Sequence, residues 1–262
     1  MSGADRSSPG SHGIVVTGVG AVTPFGWGVS PLWEGLRRGV AAVAPVTRFD
    51  VTRHRTHLAG EVPSHPTEPP FRRASLADRF AVGAAREAIS AAALDLDTCR
   101  NRTGVYFGSS TGGMLESEWF YRELLATSGR RARASVLATQ QLNGPGDAVA
   151  RDAGALGPVE TISSACASGA MAIGAALRAL RRGDVDVALA GGSDSLCQLT
   201  YAGFNSLRAV DELPSRPFRK DRAGLSLGEG AGVIVLETRE HAGRRGARAL
   251  ATLAGEAETS DA

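Results

Sequence analysis

One cysteine lies in a setting that favours nucleophilic chemistry. Cys166 belongs to the segment Thr-Ile-Ser-Ser-Ala-Cys-Ala-Ser-Gly (161–169), where a predicted buried strand gives way to a predicted helix. Unpaired backbone N–H groups and the helix dipole at a helix N-terminus favour the thiolate, the form that attacks a thioester carbonyl. The small neighbouring side chains leave room for a long substrate. The alternative is a buried, unreactive thiol, the commoner fate of cysteine, and position alone does not decide between the two.

The other residues that could do chemistry have weaker settings. Cys99 and Cys197 do not start a helix, and the three cysteines lie far apart without C-x-x-C spacing, so we expect neither a disulfide framework nor a metal site. Gly18-Val-Gly20 follows a strand, but Thr23 and Pro24 break the G-x-G-x-x-G pattern of a dinucleotide site. The histidines are predicted to be solvated or packed rather than catalytic; they are His12, His54, His57, His65 and His241.

Strands and helices alternate along the chain, which predicts a mostly parallel sheet covered by helices on both faces. The predicted strands are 14–16, 103–107, 159–163, 185–190, 232–237 and 248–254, and the predicted helices are 31–38, 76–94, 114–127, 135–153, 167–182 and 239–245. Gly183 is predicted to end the helix that follows Cys166. The stretches 45–75 and 191–222 show no clear period, and we expect both to be irregular.

Composition and charge narrow the class of protein. The chain has 262 residues with 43% hydrophobic content, enough for a large core, and a formal charge of only +2, which argues against nucleic-acid binding. No apolar run is long enough to span a bilayer, and the first residues have no signal-peptide character. We therefore expect a cytoplasmic protein without a membrane segment, with a disordered lead-in at 1–12 and a domain at 13–262.

Five groups of residues match, in order and spacing, the motifs of a known family. They are Val15–Gly26 followed by Trp33, Gly108–Gly113, Thr161–Gly169, Asp184–Gly192, and Ser215–Phe218 with Gly228–Gly232. In order and spacing they resemble the motifs of β-ketoacyl-acyl-carrier-protein synthases of the elongating type, over residues 13–262. The resemblance implies an α/β, thiolase-like layered fold of αβαβα type, of which this chain would be the N-terminal half. That half would contain a mostly parallel mixed sheet covered by helices.

The resemblance also implies covalent catalysis at Cys166. This thiol would accept an acyl group from acyl carrier protein, for condensation with a carbanion from decarboxylated malonyl-acyl carrier protein in fatty-acid or type II polyketide synthesis. The backbone N–H of Cys166 would be one oxyanion donor. Thr111 and Phe204 fall where the family lines its acyl pocket, the alternative being loop and core packing. Asn143-Gly-Pro-Gly-Asp147 departs from the family pattern, which leaves the acyl-chain length open. No cofactor is implied.

Part of the family's machinery has no counterpart in this sequence. Family members carry two catalytic histidines, a supporting lysine and a second oxyanion N–H in a second half of similar topology. None of the histidines here matches them, and Lys220 does not match the lysine. A lone thiolate could be acylated but would lack the donors that stabilise the enolate. We therefore predict that a complementary polypeptide supplies the second half of a split synthase, or that the chain is a fragment of a longer protein.

Partners and alternatives follow from the same resemblance. We predict a dimer of synthase units, and arginines that meet the acidic surface of acyl carrier protein, although an ordinary solvated face explains these arginines equally well. They are Arg72, Arg73, Arg130, Arg131 and Arg133. One alternative is a noncatalytic partner subunit resembling the chain-length factors, which generally lack the cysteine. The other alternative is a degradative thiolase acting on coenzyme A thioesters. The motif around the cysteine favours a synthase over this alternative.

Overall fold

The computed structural model describes residues 13–64 and 74–260. The predicted lead-in at 1–12 and the predicted docking residues Arg72 and Arg73 lie outside the described residues. The strands are β1 Ile14–Thr23, β2 Gly26–Trp27, β3 Ala44–Pro45, β4 Leu58–Ala59, β5 Thr103–Gly108, β6 Val159–Ile162, β7 Val187–Asp194, β8 Gly230–Thr238 and β9 Ala251–Leu253. The α-helices are α1 Val29–Arg38, α2 Leu76–Ala91, α3 Met114–Ala126, α4 Gly144–Ala153, α5 Ser168–Arg182, α6 Gln198–Ser206 and α7 Arg239–Arg244.

One mixed sheet forms the centre of the fold, with strand order β2-β1-β8-β7-β5-β6 and β9 paired with the start of β1. β5 pairs in parallel with β6 and β7, whereas β8 is antiparallel to β7 and to β1. Consequently β1, β5, β6 and β7 point the same way, as the alternating pattern predicts, and β8 is reversed. Asp194 pairs with Gly230, so the intervening chain leaves and re-enters the sheet at the same end, which requires that reversal.

Helices cover both faces of this sheet. Val105 and Phe107 of β5 lie in the apolar cluster that includes α2 and α4, whereas Tyr106 between them lies in the cluster that includes α5. Side chains of a strand alternate between its two faces, so β5 is buried on both. The helix–sheet–helix layering predicted from the sequence is confirmed, and α5, the helix after Cys166, forms the layer on one side.

Several elements differ from the prediction. β1 runs to Thr23 rather than ending before Gly18. A Cβ on Gly18 would lie 2.1 Å from the carbonyl oxygen of Ala88 in α2, so this glycine lets the helix pack against the strand rather than ending it. The predicted helix 135–153 is divided into a 3₁₀ segment, Ala134–Thr139, and α4. Helix α6 lies within a stretch that we expected to be irregular, and its N-cap is Cys197, so the expectation that this cysteine does not start a helix is wrong.

A buried carboxylate ties four elements together. Glu237 of β8 is fully buried, and Arg245 donates to it through Nε at 2.8 Å and Nη2 at 2.5 Å. Thr17 of β1 also donates to it, and His241 Nδ1 of α7 lies 2.6 Å from Oε2. Arg245 Nη1 donates to the carbonyl of Ala92 at the end of α2. Burial by itself would raise the pKa of Glu237, but the hydrogen bonds from Arg245, Thr17 and His241 outweigh it and lower that pKa.

We expect the stabilising contribution of Glu237 to fade in acid. Because its pKa is lower in the folded protein than in the unfolded chain, the contribution is complete above the ordinary value of 4.5 and is lost as the pH falls through the folded value. Each unit of that depression corresponds to about 1.4 kcal/mol of unfolding free energy. Urea unfolding of the native chain and of Glu237→Gln, from about pH 7 to pH 3, should therefore give a difference that shrinks as the pH falls.

The exposed Glu34 supplies the control for that measurement. Its carboxylate lies 3.5 Å from Arg38 one helical turn away, and both side chains are mostly solvated, so Glu34→Gln should change the free energy of unfolding by less than about 0.5 kcal/mol at every pH. A Glu237→Gln difference that stays constant over the same range would contradict the expectation.

Candidate active site

Cys166 lies in a tight turn between β6 and α5. The thiol is free and exposed, and α5 begins at Ser168, with Ala167 as its N-cap. Ala165, the residue before the cysteine, has a φ of +46°, a left-handed conformation that costs a non-glycine residue about 1–2 kcal/mol. The predicted position of Cys166 where a strand gives way to a helix is confirmed, and surrounding contacts must hold the turn in this strained form.

The backbone N–H of Cys166 is available to a ligand. Within the turn, Ala167 N–H donates to the Ser164 carbonyl at 3.0 Å, and Ser168 N–H donates to the Ala165 carbonyl at 3.2 Å. No such bond to any described residue involves the N–H of Cys166. This N–H stays a predicted oxyanion donor, because its use depends on where a substrate carbonyl lies.

A close contact between β5 and α5 places the turn on the sheet. A Cβ on Gly108, the last residue of β5, would lie 2.4 Å from the carbonyl carbon of Ser168 and 2.5 Å from the nitrogen of Gly169. Only glycine permits the first turn of α5 to lie so close to the end of the strand. The neighbouring strand end carries Gly192, whose Cβ would lie 3.4 Å from the Cα of Gly169. Gly108 of the glycine-rich turn motif therefore lets α5 start against the sheet, whereas the distance from Gly192 to α5 is an ordinary van der Waals contact.

Sequence reasoning missed a carboxylate that organises the glycine-rich turn after β5. Asp194, at the end of β7, accepts hydrogen bonds from Ser109 Oγ at 2.9 Å, from Ser110 N–H at 2.9 Å, and from Thr111 N–H at 2.7 Å. Thr111 Oγ1 also donates to it at 2.9 Å. The signal that could have found it is a carboxylate directly after Gly-Gly-Ser at the carboxyl end of a predicted parallel strand, the end at which loops from neighbouring strands meet.

Two serines connect this network to the turn that carries Cys166, residues 163–167. Ser110 Oγ donates to the carbonyl oxygen of Ala165 at 3.0 Å, and Ser168 Oγ donates to the same oxygen at 2.7 Å. Ser168 Oγ also accepts from the N–H of Ser164 at 2.8 Å. The residue before Cys166 is therefore held by side chains from the glycine-rich turn and from α5.

Of the other predicted site residues, Thr111 lies near the turn that carries Cys166, whereas Phe204 does not contact Cys166. Thr111, half-buried, follows Ser110 and so lies beside the nucleophile turn, with its hydroxyl engaged by Asp194. Phe204 is half-buried on α6, and no described contact joins it to Cys166. Both remain predictions as pocket residues. The segment Asn143–Asp147, which departs from the family pattern, forms the start of α4, and Asn143 Nδ2 donates to the Asp147 carboxylate at 2.7 Å.

The remaining predicted docking arginines lie on the surface after α3. All are exposed, and none forms an ion pair with a carboxylate among the residues that the structure describes; they are Arg130, Arg131 and Arg133. Arg130 N–H and Nε both contact the carbonyl of Thr127. Their charges are free to meet an acidic partner, which leaves docking a prediction.

No described histidine contacts the nucleophile turn. His241 is bound to Glu237, the ring of His54 packs 5.4 Å from that of Tyr201, and His57 is exposed. Residues 163–167 are all exposed, and a surface cavity of about 660 Å³ between α2 and α4, lined by Arg86, Asp152 and their neighbours, is separate from them. Among the described residues, no histidine therefore lies beside the exposed Cys166 thiol.

Among residues 13–64 and 74–260, no group of three or more His, Cys, Asp or Glu side chains could hold a metal ion. None of the helices there combines the length and the apolar character needed to cross a membrane.

Comparison with known proteins supplies the family. Residues 11–242 match the family described as "Beta-ketoacyl synthase, N-terminal domain". The 3-oxoacyl-[acyl-carrier-protein] synthase 2 of Staphylococcus aureus (strain N315) is 36% identical to the chain over 264 residues, which covers 95% of the chain and 63% of that protein. The chain thus spans somewhat less than two thirds of the length of this relative.

Solved structures agree in fold. The ishigamide ketosynthase/chain length factor superposes with a TM-score of 0.87 at 32% identity, over 94% of this chain and 63% of that one. A type II polyketide ketosynthase, bound to the hexaketide and in complex with its acyl-carrier protein, superposes with a TM-score of 0.78 at 29% identity, over 94% of this chain and 62% of that one. They confirm the predicted thiolase-like layered fold. The chain therefore belongs to the β-ketoacyl synthase family, and it matches the N-terminal domain of that family.

Proposed function

We propose that Cys166 accepts an acyl group and that the chain is the nucleophile-bearing component of a 3-oxoacyl-acyl-carrier-protein synthase in fatty-acid or type II polyketide synthesis. The observation that supports this most directly is an exposed, free thiol at the turn into α5, in a chain of this family. The thiolate attacks the carbonyl carbon of the thioester that links the acyl group to acyl carrier protein. A new thioester bond to Sγ forms, the bond to the carrier sulfur breaks, and the carrier thiolate takes up a proton.

Condensation requires groups beyond those described around Cys166. Decarboxylation of a malonyl thioester releases carbon dioxide and leaves an enolate, which attacks the acyl carbonyl and returns the electron pair to Sγ of Cys166. The enolate and the oxyanion need hydrogen-bond donors, and no described histidine contacts this turn. We infer that a complementary polypeptide segment supplies two histidines and a second oxyanion N–H, from a separate chain or from a longer form of this one.

Exposed apolar side chains support such a complementary segment. Trp33 on α1 is 63% exposed, Leu207 after α6 is 76% exposed, and Phe218 is wholly exposed with a φ of +64°. Covering these side chains with another polypeptide would remove apolar area from water, which is favourable.

Two further partners belong to the proposal. The type II ketosynthase named above binds its acyl carrier protein, and the unpaired charges of Arg130, Arg131 and Arg133 offer the same kind of partner an attractive surface here. β6 is the edge strand of the sheet, with Val159 and Glu160 exposed. An open edge of this kind supports pairing with a second unit to form a dimer.

The alternative is a noncatalytic subunit of the chain-length-factor kind, since the structure with a TM-score of 0.87 comes from a ketosynthase/chain length factor. Under this alternative the chain would bind its partner without becoming acylated. The exposure of the Cys166 thiol favours the catalytic role.

A mass-spectrometric experiment separates the two roles. The chain is incubated with acyl-acyl carrier protein, and the intact mass and the peptide map are recorded. We expect one acyl group on the peptide that contains Cys166, removable by hydroxylamine as a thioester should be, and blocked by prior alkylation with iodoacetamide. The absence of an adduct, or an adduct confined to Cys99 or Cys197, would contradict the proposal. Release of a 3-oxoacyl product only after addition of a complementary chain would support the split arrangement.

A further inference from the structure

The turn that carries Cys166 is held by a hydrogen-bond network that reaches to Asp194, at the end of β7 on the same edge of the sheet. Asp194 at the end of β7 accepts from the backbone N–H groups of Ser110 and Thr111 at 2.9 and 2.7 Å, and from the hydroxyl groups of Ser109 and Thr111, both at 2.9 Å. One carboxylate therefore fixes both the backbone and the side chains of the turn after β5. A charged acceptor forms stronger hydrogen bonds than a neutral one does, so this turn is anchored to β7.

The anchored turn after β5 also contacts Ala165, the residue before Cys166. Ser110 Oγ donates to the carbonyl oxygen of Ala165 at 3.0 Å, and this is the residue with a φ of +46°. Ser168 Oγ donates to the same oxygen at 2.7 Å and accepts from the N–H of Ser164 at 2.8 Å. The N–H of Ser168 donates to that oxygen as well, at 3.2 Å. Three donors thus converge on one carbonyl of a strained residue, at the position that sets the direction of the Cys166 side chain.

We propose that Asp194 and Ser110 are positioning residues that hold the turn of Cys166 in the conformation that accepts the acyl group. Neither side chain is required to touch the acyl group. The inference rests on the proposed function in one respect, since it takes Cys166 as the acyl acceptor. Its structural part, the holding of a strained turn from β7 through Ser110, stands independently of acylation.

The physical consequence is a population shift within the turn. Without the Ser110 hydroxyl, the Ala165 carbonyl loses one of three donors that offset the left-handed conformation of this residue, and relaxed conformers of the turn gain population. In those conformers Sγ leaves its position at the start of α5 and the N–H of Cys166 loses its fixed direction. Acyl transfer needs both groups in place and slows, whereas the thiol stays accessible to a small reagent.

Hydrogen exchange measured by NMR tests the structural part directly. The amide protons of Ala167 and Ser168 are bonded within the turn, to Ser164 and Ala165. In Ser110→Ala we expect both to exchange about fivefold faster, the change that loss of one hydrogen bond produces, while the amide of Leu177 in the middle of α5 is unchanged. Ser110→Thr keeps the hydroxyl and should restore native exchange. Ser90→Ala, an exposed serine of α2 outside the site, is the matched control.

Acyl transfer supplies the second readout. For Ser110→Ala we expect transfer from acyl-acyl carrier protein to be about tenfold slower, with the rate of alkylation by iodoacetamide within about twofold of native and the melting temperature nearly unchanged. Asp194→Asn, which replaces an acceptor oxygen with a donor, should slow transfer further. Ser110→Thr should recover most of the native rate.

The outcomes distinguish this inference from the proposed function. If native protein forms no adduct while Ser110→Ala still loosens the two amides, the proposed function is wrong and the holding of the turn is correct. If native protein is acylated but Ser110→Ala matches it in both exchange and transfer, the positioning inference is wrong. A parallel fall in melting temperature, alkylation and transfer would also overturn it, because that pattern indicates a general structural role.

Discussion

Replacing Cys166 by alanine is expected to abolish acylation of this chain. Transfer should fall by at least about a thousandfold, to background, since covalent catalysis has no alternative route once its nucleophile is removed. Cys166→Ser should be nearly as inactive, because a hydroxyl needs a general base and no described histidine contacts the turn. The thiol is exposed, so we expect the free energy of unfolding to change by less than about 0.5 kcal/mol.

The other two cysteines provide matched controls for this result. Both are buried, and burial raises the pKa of the Cys197 thiol, which leaves it largely protonated and a poor nucleophile. Cys99→Ala and Cys197→Ala should therefore retain the acyl adduct after correction for folded protein. Quantitative mass spectrometry of the intact chains measures all the variants together. An adduct of native size on Cys166→Ala would show that another group accepts the acyl chain.

Replacing Gly108 by alanine is expected to have the second largest effect. The new Cβ would lie 2.4 Å from the carbonyl carbon of Ser168, which is backbone and cannot rotate away. β5 is paired on both sides and α5 packs in a buried cluster, so relief requires the helix start and the strand to separate. Overpacking of this kind costs about 3 kcal/mol of unfolding free energy. Because the displaced turn carries Cys166, acyl transfer should fall together with stability.

Gly169→Ala is the control for the Gly108 variant. Gly169 lies in the first turn of the same helix, and an added Cβ would meet nothing within 4 Å. Alanine favours the helix more than glycine does, so this variant should be as stable as the native chain, or more stable by up to about 1 kcal/mol. Urea unfolding compares the two. Equal stability of Gly108→Ala and Gly169→Ala would show that the strand–helix contact is looser than the distances indicate.

The elements around the nucleophile could be predicted because their signals are local. β-Branched residues predict the strand that became β6, although that strand lies exposed at the edge of the sheet rather than buried as we expected. Helical spacing of small apolar residues predicts α5. Gly183 ends that helix in the left-handed conformation that favours glycine. A strand that passes directly into a helix places the intervening cysteine at the helix start, whatever the rest of the fold does. Cys166 was therefore predictable, both by type and by position.

Other features were misread because the same local signal has several tertiary meanings. A glycine such as Gly18 ends a strand in one setting and permits a close helix contact in another, and only the position of α2 against β1 separates the two. The Gly-Pro-Gly sequence at 144–146 interrupts the predicted helix and instead begins α4. The reversed direction of β8 depends on where residues 195–229 return to the sheet, which no local period records.

By itself the sequence determined the family motifs, the alternation of strands and helices, and the place of the thiol at a helix start, because each depends on residues adjacent in the chain. Only the tertiary structure decided how that thiol is held. Asp194 and Ser109 are 85 residues apart, and they meet because β5 and β7 are neighbours in the sheet with their carboxyl ends at the same edge. Hydrogen bonds between such distant residues depend on strand order and direction, which arise when the whole chain packs.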